Sequence, residues 1–310
     1  MIHFIVNPNS CLGKGKDTWE KVRDFLEGND IEYNVHFTKY SGHALDIACS
    51  LTKIEDKVKS VVIVVLGGDG TLNEVVNGIC FESNVTLAYV PAGSGNDFAR
   101  SLKIKRGTEK LLAPLISPRR YKAYDYGVVC GGINEIVPRR FVVSCGMGFD
   151  ASICHELLNK DWKKIIKQLH LNKAIYIIIG LKQIIKARPV EVTILMNRYK
   201  KVNVNNMWFT SVHIHPYEGG GFKFAPKANP EDGKLEVCVV QGKSKLRFVL
   251  ILLKSLLFGL KNVRGVKHFT CKEIEIKSKQ LLPVHTDGES YGIQNNITIG
   301  CVQKKLRILM

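Results

Sequence analysis

The run Gly67-Gly68-Asp69-Gly70-Thr71-Leu72-Asn73-Glu74 sets a carboxylate among three glycines and follows it with a hydroxyl and an amide. Glycines at the end of an apolar run let backbone N–H groups approach an anion with no Cβ in the way, and a helix starting there adds its positive end. Phosphate binding is the chemistry this suggests, and a tight strand-to-helix turn is the alternative. A second loop, Pro91-Ala92-Gly93-Ser94-Gly95-Asn96-Asp97-Phe98-Ala99-Arg100, repeats the glycine–carboxylate pattern, and Asp125-Tyr126-Gly127 supplies another acid beside a glycine. Further on, Asp232-Gly233 and Asp287-Gly288-Glu289 are commonly plain turns, but their acids are also available for metal binding or proton transfer.

Alternating elements must position these residues. Up to about residue 128 the order is strand, glycine-rich loop, helix, repeated. Ile2–Val6 leads into Asn7-Pro8-Asn9-Ser10-Cys11-Leu12-Gly13-Lys14-Gly15-Lys16, and Asp17-Thr18-Trp19-Glu20 has the spacing of a helix start. A strand around Glu32–Phe37 leads through Thr38 to Gly42-His43. Val61–Leu66 is a continuous β-branched run, as a central strand buried on both faces requires, and Val85–Val90 follows it. Such βα alternation predicts a doubly wound sheet with its site at the carboxyl ends of the strands. Beyond residue 128, short strands (Phe141–Ser144, Val190–Met196, Trp208–His213, Leu235–Val240, Ile274–Ile276) separated by turns predict an antiparallel sandwich or barrel, interrupted by helices at about 160–187 and 244–260.

The chain has 310 residues, enough for two domains, and a formal net charge of +17 that favours anionic partners. Its basic residues lack interleaved stacking aromatics, which argues against nucleic acid. Nine cysteines, never spaced as C-x-x-C, read as reduced residues of a cytoplasmic protein, mostly in the core. His213 and His215 lack an evident third ligand and read as structural. No signal peptide is expected ahead of the first strand, and no apolar stretch reaches the roughly 20 residues of a bilayer span. The stretches at 174–185 and 248–260, flanked by lysines, read either as core helices with a basic edge or as an edge that meets an anionic bilayer.

Known nucleotide fingerprints fail in detail. G-x-G-x-x-G would need glycine at Asn73 or at Phe98, and a Walker loop ending at Gly15-Lys16 has Ser10 for its first glycine and Asp17 after the lysine. Taken together, the 67–74 and 91–100 loops resemble the signatures of the diacylglycerol kinase catalytic family. The likeness is to its soluble bacterial lipid kinases, which are related to diacylglycerol, sphingosine and ceramide kinases. Asn7-Pro8-x-Ser10, Thr38…Gly42-His43-Ala44, Gly146-x-Gly148-Phe149-Asp150-Ala151, Gly219-Gly220-Gly221…Asp232-Gly233 and Asp287-Gly288-Glu289 follow in family order.

The resemblance implies an N-terminal doubly wound α/β catalytic domain over 1–128, of the diacylglycerol kinase and NAD kinase type. A mostly antiparallel β-sandwich for the lipid substrate would occupy 129–292, with 293–310 returning to the first domain. It implies an ATP- and Mg²⁺-dependent lipid kinase acting peripherally at an anionic membrane surface, with a homodimer allowed. Asp69, Asp97 and Asp125 would form the charged network around metal and triphosphate, and Glu289 would be the general base. ATP contacts would come from Asn7, Pro8, Asn9, Ser10, Cys11, Thr38, Gly67, Gly68, Asp69, Gly70, Thr71, Leu72, Asn73 and Ser94. A second, structural Mg²⁺ would sit on Asp232 with the carbonyls of Asn229 and Lys234. The family usually has glycine where Cys11 stands. Two rival readings are a kinase of NAD, whose family has a similar GGDG loop, and a nucleotide-gated lipid sensor without turnover.

Overall fold

In the computed structural model, residues 1–53, 60–104, 107–116, 121–131, 137–157 and 172–309 are described. They fall into two compact units, Met1–Asp125 with the stretch from Lys304 onward, and Tyr126–Gln303.

The first unit is built from β1 (Ile2–Val6), α1 (Lys14–Glu27), β2 (Asn34–Phe37), α2 (His43–Leu51), β3 (Val61–Gly67), α3 (Asp69–Gly78), β4 (Val85–Pro91), α4 (Asp97–Ser101), α5 (Thr108–Ile116) and the first part of β5 (Tyr121–Gly131). All of its β1–β4 pairings are parallel: β3 lies between β1 and β4, and β1 also carries β2. The β-branched run of β3 is thus enclosed by partners on both edges and is almost wholly buried, which is why it tolerates no polar residue. Phe4, Val6, Trp19, Val22, Leu26, Val64 and Leu66 share one core. Helix α1 starts at Lys14, three residues before the expected Asp17, because Gly13 takes a left-handed φ of 99° and turns the chain into the helix there.

The second unit continues β5 and adds β6 (Arg139–Phe141), β7 (Ser144–Gly148), α6 (Phe149–Leu157), α7 (Asn172–Lys186), β8 (Val190–Met196), β9 (Lys200–His213), β10 (Leu235–Gln241), α8 (Lys245–Leu257), β11 (Val266–Cys271), β12 (Glu273–Thr286) and β13 (Glu289–Leu309). The helix expected from about residue 160 is described only from Asn172; 158–171 lie outside the described residues. Strands β9 and β12 are each long enough to pair with β8 through one half and β7 through the other, so the four close a ring of antiparallel pairings. Ile194, Val204, Met207, Ile274, Ile276 and Val284 lie in the core they form.

Two local differences from the sequence reading have physical causes. Phe141–Ser144 is not one strand, because the N–H groups of Val142, Val143 and Ser144 point at the Asp287 carboxylate instead of a neighbouring strand. The last strand changes unit at Lys304, not near Ile293, since Gln294–Gly300 are still paired with β12, and only Ile308 reaches Leu87 of β4. Cys145, Cys238 and Cys271 are buried as expected, whereas Cys49 and Cys130 are exposed; all nine cysteines are free.

Candidate functional site

In the first unit, the loops after β1, β2 and β4 are tied to the first two turns of α3. Asp69, Thr71 and Glu74 each reach a different loop. The Asp69 carboxylate accepts the Asp97 N–H at 3.0 Å and the Phe98 N–H at 3.4 Å, both from the start of α4. Thr71 Oγ1 accepts from Asn7 Nδ2 at 3.1 Å, on the loop after β1. Glu74 accepts from Gly42 N at 2.8 Å and Ala44 N at 3.2 Å, where α2 begins. Each anion satisfies N–H groups that a helix start leaves without an intrahelical partner.

The glycines are required at this junction by contact. A Cβ on Gly93 would lie 2.5 Å from the Gly68 Cα, and one on Gly15 would lie 2.1 Å from the Asn7 carbonyl oxygen. Two backbones therefore touch where the β3 and β4 loops meet, and the Ala92 N–H bonds the Gly67 carbonyl at 2.8 Å. Asn96, with a left-handed φ of 53°, closes its loop by accepting the Gly93 N–H at 3.0 Å and donating to the Gly93 carbonyl at 2.8 Å.

The structure brings Asp69 and Asp97 together. Burial first, and then the charges of both acids, push the neighbouring Tyr89 phenol well above its ordinary pKa. Asp97 is buried and paired with Arg100 at 2.7 Å. Asp125 is fully buried on β5 and accepts the Lys304 N–H at 2.8 Å, where the last strand bends with φ 47°. On the loop after β1, Asn9 N–H bonds Asn7 Oδ1 at 3.1 Å and Ser10 Oγ bonds the Asn7 carbonyl at 3.0 Å. Pro8 is half-buried and Ser94 exposed, while Thr38 N–H is held by the Val6 carbonyl at 2.9 Å. Leu72 and Asn73 face inward and are fully buried, and the Leu72 N–H bonds the Gly68 carbonyl at 3.1 Å. Gly70 is half-buried at the helix start.

Cys11 adopts φ 47°, a left-handed conformation that costs a residue with a Cβ roughly 1–2 kcal/mol. Cys11→Gly is expected to raise the unfolding free energy by about 1 kcal/mol or slightly less, glycine's freedom in the unfolded chain offsetting part of the relief. Urea unfolding followed at Trp19 checks this, and an unchanged or lower midpoint would count against strain at this position.

In the second unit, Asp232 lies in an exposed turn, with its Oδ1 accepting the Lys234 N–H at 3.0 Å, while Asn229 Oδ1 accepts the Glu231 N–H at 3.1 Å. Asp287, at φ 50°, gathers Val142 N and Val143 N at 2.8 Å and Ser144 N at 3.0 Å on its carboxylate. Glu289 opens β13 just past that clamp, half-buried, and its carboxylate makes no hydrogen bond or ion pair among the described residues.

Sequence reasoning did not foresee a buried polar cluster in the second unit. It comprises Asp150 on α6, Glu218 after β9, His285 on β12, and Ser211 and His213 on β9. In the sequence Asp150 stands out only as part of a glycine motif, and His213 only as one of a histidine pair. Burial of Asp150 raises its pKa, with His285 opposing. Glu218, which burial alone would raise, is lowered to about 2 by His285, His213 and Ser211.

Comparison with known proteins agrees with this two-part organisation. Residues 1–129 match the family described as Diacylglycerol kinase catalytic domain, and residues 144–310 match that described as YegS C-terminal NAD kinase beta sandwich-like domain. The chain is 28% identical over 294 residues to "Putative lipid kinase YtlR" of Bacillus subtilis (strain 168), with 93% of each chain covered. It is 25% identical over 291 residues to a diacylglycerol kinase of the same strain, covering 94% of this chain and 90% of the relative. A crystal structure of a diacylglycerol kinase from Bacillus anthracis str. Sterne matches with a TM-score of 0.70 at 22% identity, over 99% of this chain and 96% of that one, a likeness of fold.

Proposed function

Since the chain belongs to the diacylglycerol kinase family, with its catalytic domain followed by the YegS C-terminal sandwich-like domain, we propose that it transfers the γ-phosphoryl group of ATP to a lipid hydroxyl, on diacylglycerol or a lipid of that type. The observation that carries this reading is the convergence of three loops on the first turns of α3 through Asp69, Thr71 and Glu74. The donor set fits the nucleotide and its cation: the touching glycines keep Cβ atoms out of the junction at the start of α3, whose positive end suits phosphate, and the acids nearby offer the hard oxygens that Mg²⁺ prefers. Bound Mg²⁺ would supply positive charge to the phosphate oxygens.

Thr71 accepts from Asn7 and keeps its own proton to donate to a phosphate oxygen. Asp69 and Asp97 would hold the cation and, with Asp125, would carry the negative charge of the site. Asn7, Ser10, Cys11, Thr38 and Ser94 border the nucleotide. Glu289 accepts the hydroxyl proton as the lipid oxygen attacks the γ-phosphorus and the bond to the β-phosphate oxygen breaks. At the second cation site, the Asp232 carboxylate would join the carbonyls of Asn229 and Lys234, since one acceptor each of Asp232 and Asn229 is already used within the turn.

We place this activity at the cytoplasmic surface of an anionic membrane. Among the described residues no helix is long and apolar enough to cross a bilayer. Helix α8, however, buries Phe248, Ile251 and Ser255 while Leu246, Leu250, Leu253, Leu257 and the adjoining Phe258 are exposed. Those exposed positions recur at helical spacing and form one apolar stripe. Lys243, Lys245, Arg247, Lys254 and Lys261 accompany it, and no acid occurs from Gly242 to Lys272. Lys245 donates to the Ile185 carbonyl, which sets α8 beside the end of α7, where Leu181 and Ile185 are also exposed. Such a face suits acyl chains below and anionic headgroups around it. Leu250→Glu with Leu253→Glu is expected to weaken binding to phosphatidylglycerol-containing vesicles by about 100-fold, on the scale of roughly 1.5 kcal/mol per leucine. Co-sedimentation measures this, and unchanged binding would remove α8 as the contact.

Labelled ATP with Mg²⁺ should be offered to the protein with diacylglycerol, a sphingoid base, a polyprenol, phosphatidylglycerol or NAD. Label is expected in a lipid and not in NAD. Label in NAD alone would support the dinucleotide reading, and ATP binding without any turnover the sensor.

A further inference from the structure

His285 lies four residues before Glu289 and is 1% exposed. Its ring nitrogens face different partners. Nδ1 receives the Gly288 N–H at 3.2 Å. Nε2 faces Asp150 Oδ2 at 3.4 Å and Glu218 Oε1 at 3.3 Å. Both carboxylates are themselves fixed: Asp150 Oδ1 accepts the Ala151 N–H at 2.8 Å, and Ser211 Oγ donates to Glu218 Oε2 at 2.9 Å. Gly146 makes room for the group, since a Cβ there would lie 2.0 Å from Asp150 Oδ2 and 2.4 Å from His285 Nε2.

A neutral imidazole carries one proton, and the Gly288 N–H aimed at Nδ1 leaves Nε2 as its place. There it faces two acidic oxygens. Burial disfavours the imidazolium, while Cys154, Asp150 and Glu218 favour it and the net push on the His285 pKa is upward. An imidazolium, however, would set N–H against N–H at 3.2 Å, so the Gly288 contact selects the neutral ring. The same contact speaks against a metal seat. The ligand atoms of Asp150, Glu218 and His285 lie within 4.8 Å of one another, but a protonated Nε2 has no lone pair to offer.

The Asp287-Gly288 turn carries positive φ at both residues, 50° and 86°. Three N–H groups on the Asp287 carboxylate hold one side of it, and His285 holds the other. We propose that His285 is a positioning residue for Glu289: Asp150 and Glu218 keep it in the tautomer whose Nδ1 pins the Gly288 N–H, and the pinned turn aims the carboxylate. The aim matters to catalysis only if Glu289 is the base, the reading given above.

Histidine labelled with ¹⁵N in the full chain reports the tautomer through long-range ¹H–¹⁵N correlations. His285 is expected with a protonated Nε2 and a bare Nδ1. A doubly protonated ring, the opposite tautomer, or displacement of the signals by one equivalent of Zn²⁺ would overturn the proposal. In kinetics, His285→Leu is expected to lower kcat about 100-fold, the cost of a misplacement near 1 Å, with KM for ATP unchanged. His285→Asn, whose Oδ1 can stand where Nδ1 was, is expected to recover most of the loss. If His285→Leu is as fast as the parent while Glu289→Gln is inactive, positioning fails and the base stands. If Glu289→Gln turns over normally, the base fails, and the nitrogen spectrum alone decides whether His285 holds the turn. The spectrum also decides should His285→Leu not fold.

Discussion

Glu289→Gln lowers kcat about 10²- to 10⁴-fold while ATP binds as it does to the parent, if the carboxylate is the general base. Glutamine matches glutamate in size and keeps one acceptor oxygen, but it cannot take a proton at neutral pH. The exchange should leave the fold unchanged, because the Glu289 carboxylate makes no hydrogen bond or ion pair among the described residues and the turn before it is held by Asp287 and His285. A loss of turnover with an unaltered melting temperature and unaltered ATP affinity by calorimetry therefore reads as lost proton transfer. Turnover within a few-fold of the parent would remove Glu289 from the reaction.

Asp69→Ala is expected to lower kcat/KM by about 10³-fold or more, because two losses coincide. Hydrogen bonds to a charged acceptor are worth roughly 1.5–3 kcal/mol each, and the Asp97 and Phe98 N–H groups would both lose theirs. Cation stabilisation, worth several kcal/mol, would weaken in addition. The first loss can be measured without nucleotide or metal: amide exchange at Asp97 and Phe98 should quicken in the resting protein. Asp69→Asn, which keeps one acceptor and no charge, should protect those amides partly and still lose most of its activity. If exchange is unchanged in Asp69→Ala, the loops are held together by other contacts, and only the metal role is left to explain any loss.

Asp69 stands in a glycine loop whose residue types are set by local chemistry, whereas Glu289 follows an ordinary Asp-Gly turn and is singled out only by the resemblance to the diacylglycerol kinase family. The apolar run of β3, the glycines that must not carry a Cβ, and the turn at Asp287-Gly288 were open to the same kind of reading, because side-chain periodicity and backbone sterics act over a few residues. Nothing in the chain itself marks position 11 as one for glycine; the family resemblance does, and the left-handed φ of Cys11 supplies a physical reason for that preference.

What needed the folded chain were pairings between distant residues. Glu74 looks like an ordinary helix residue until it is seen to cap α2, 32 residues back at Gly42. Asp287 reads as a turn former, yet its carboxylate breaks a strand 145 residues earlier, at Val142. Asp150, Glu218 and His285 come from a helix, a loop and a strand, and no spacing in the chain relates them. The amino-acid order alone therefore determined the alternation of strand and helix in the first unit, most of the turns, and the residue types able to do chemistry. Tertiary structure decided which of those groups meet, and it set the Gly288 N–H against Nδ1 of His285. Hydrogen bonds and Coulomb forces depend on distance in space, and only the packed core brings those distances within reach.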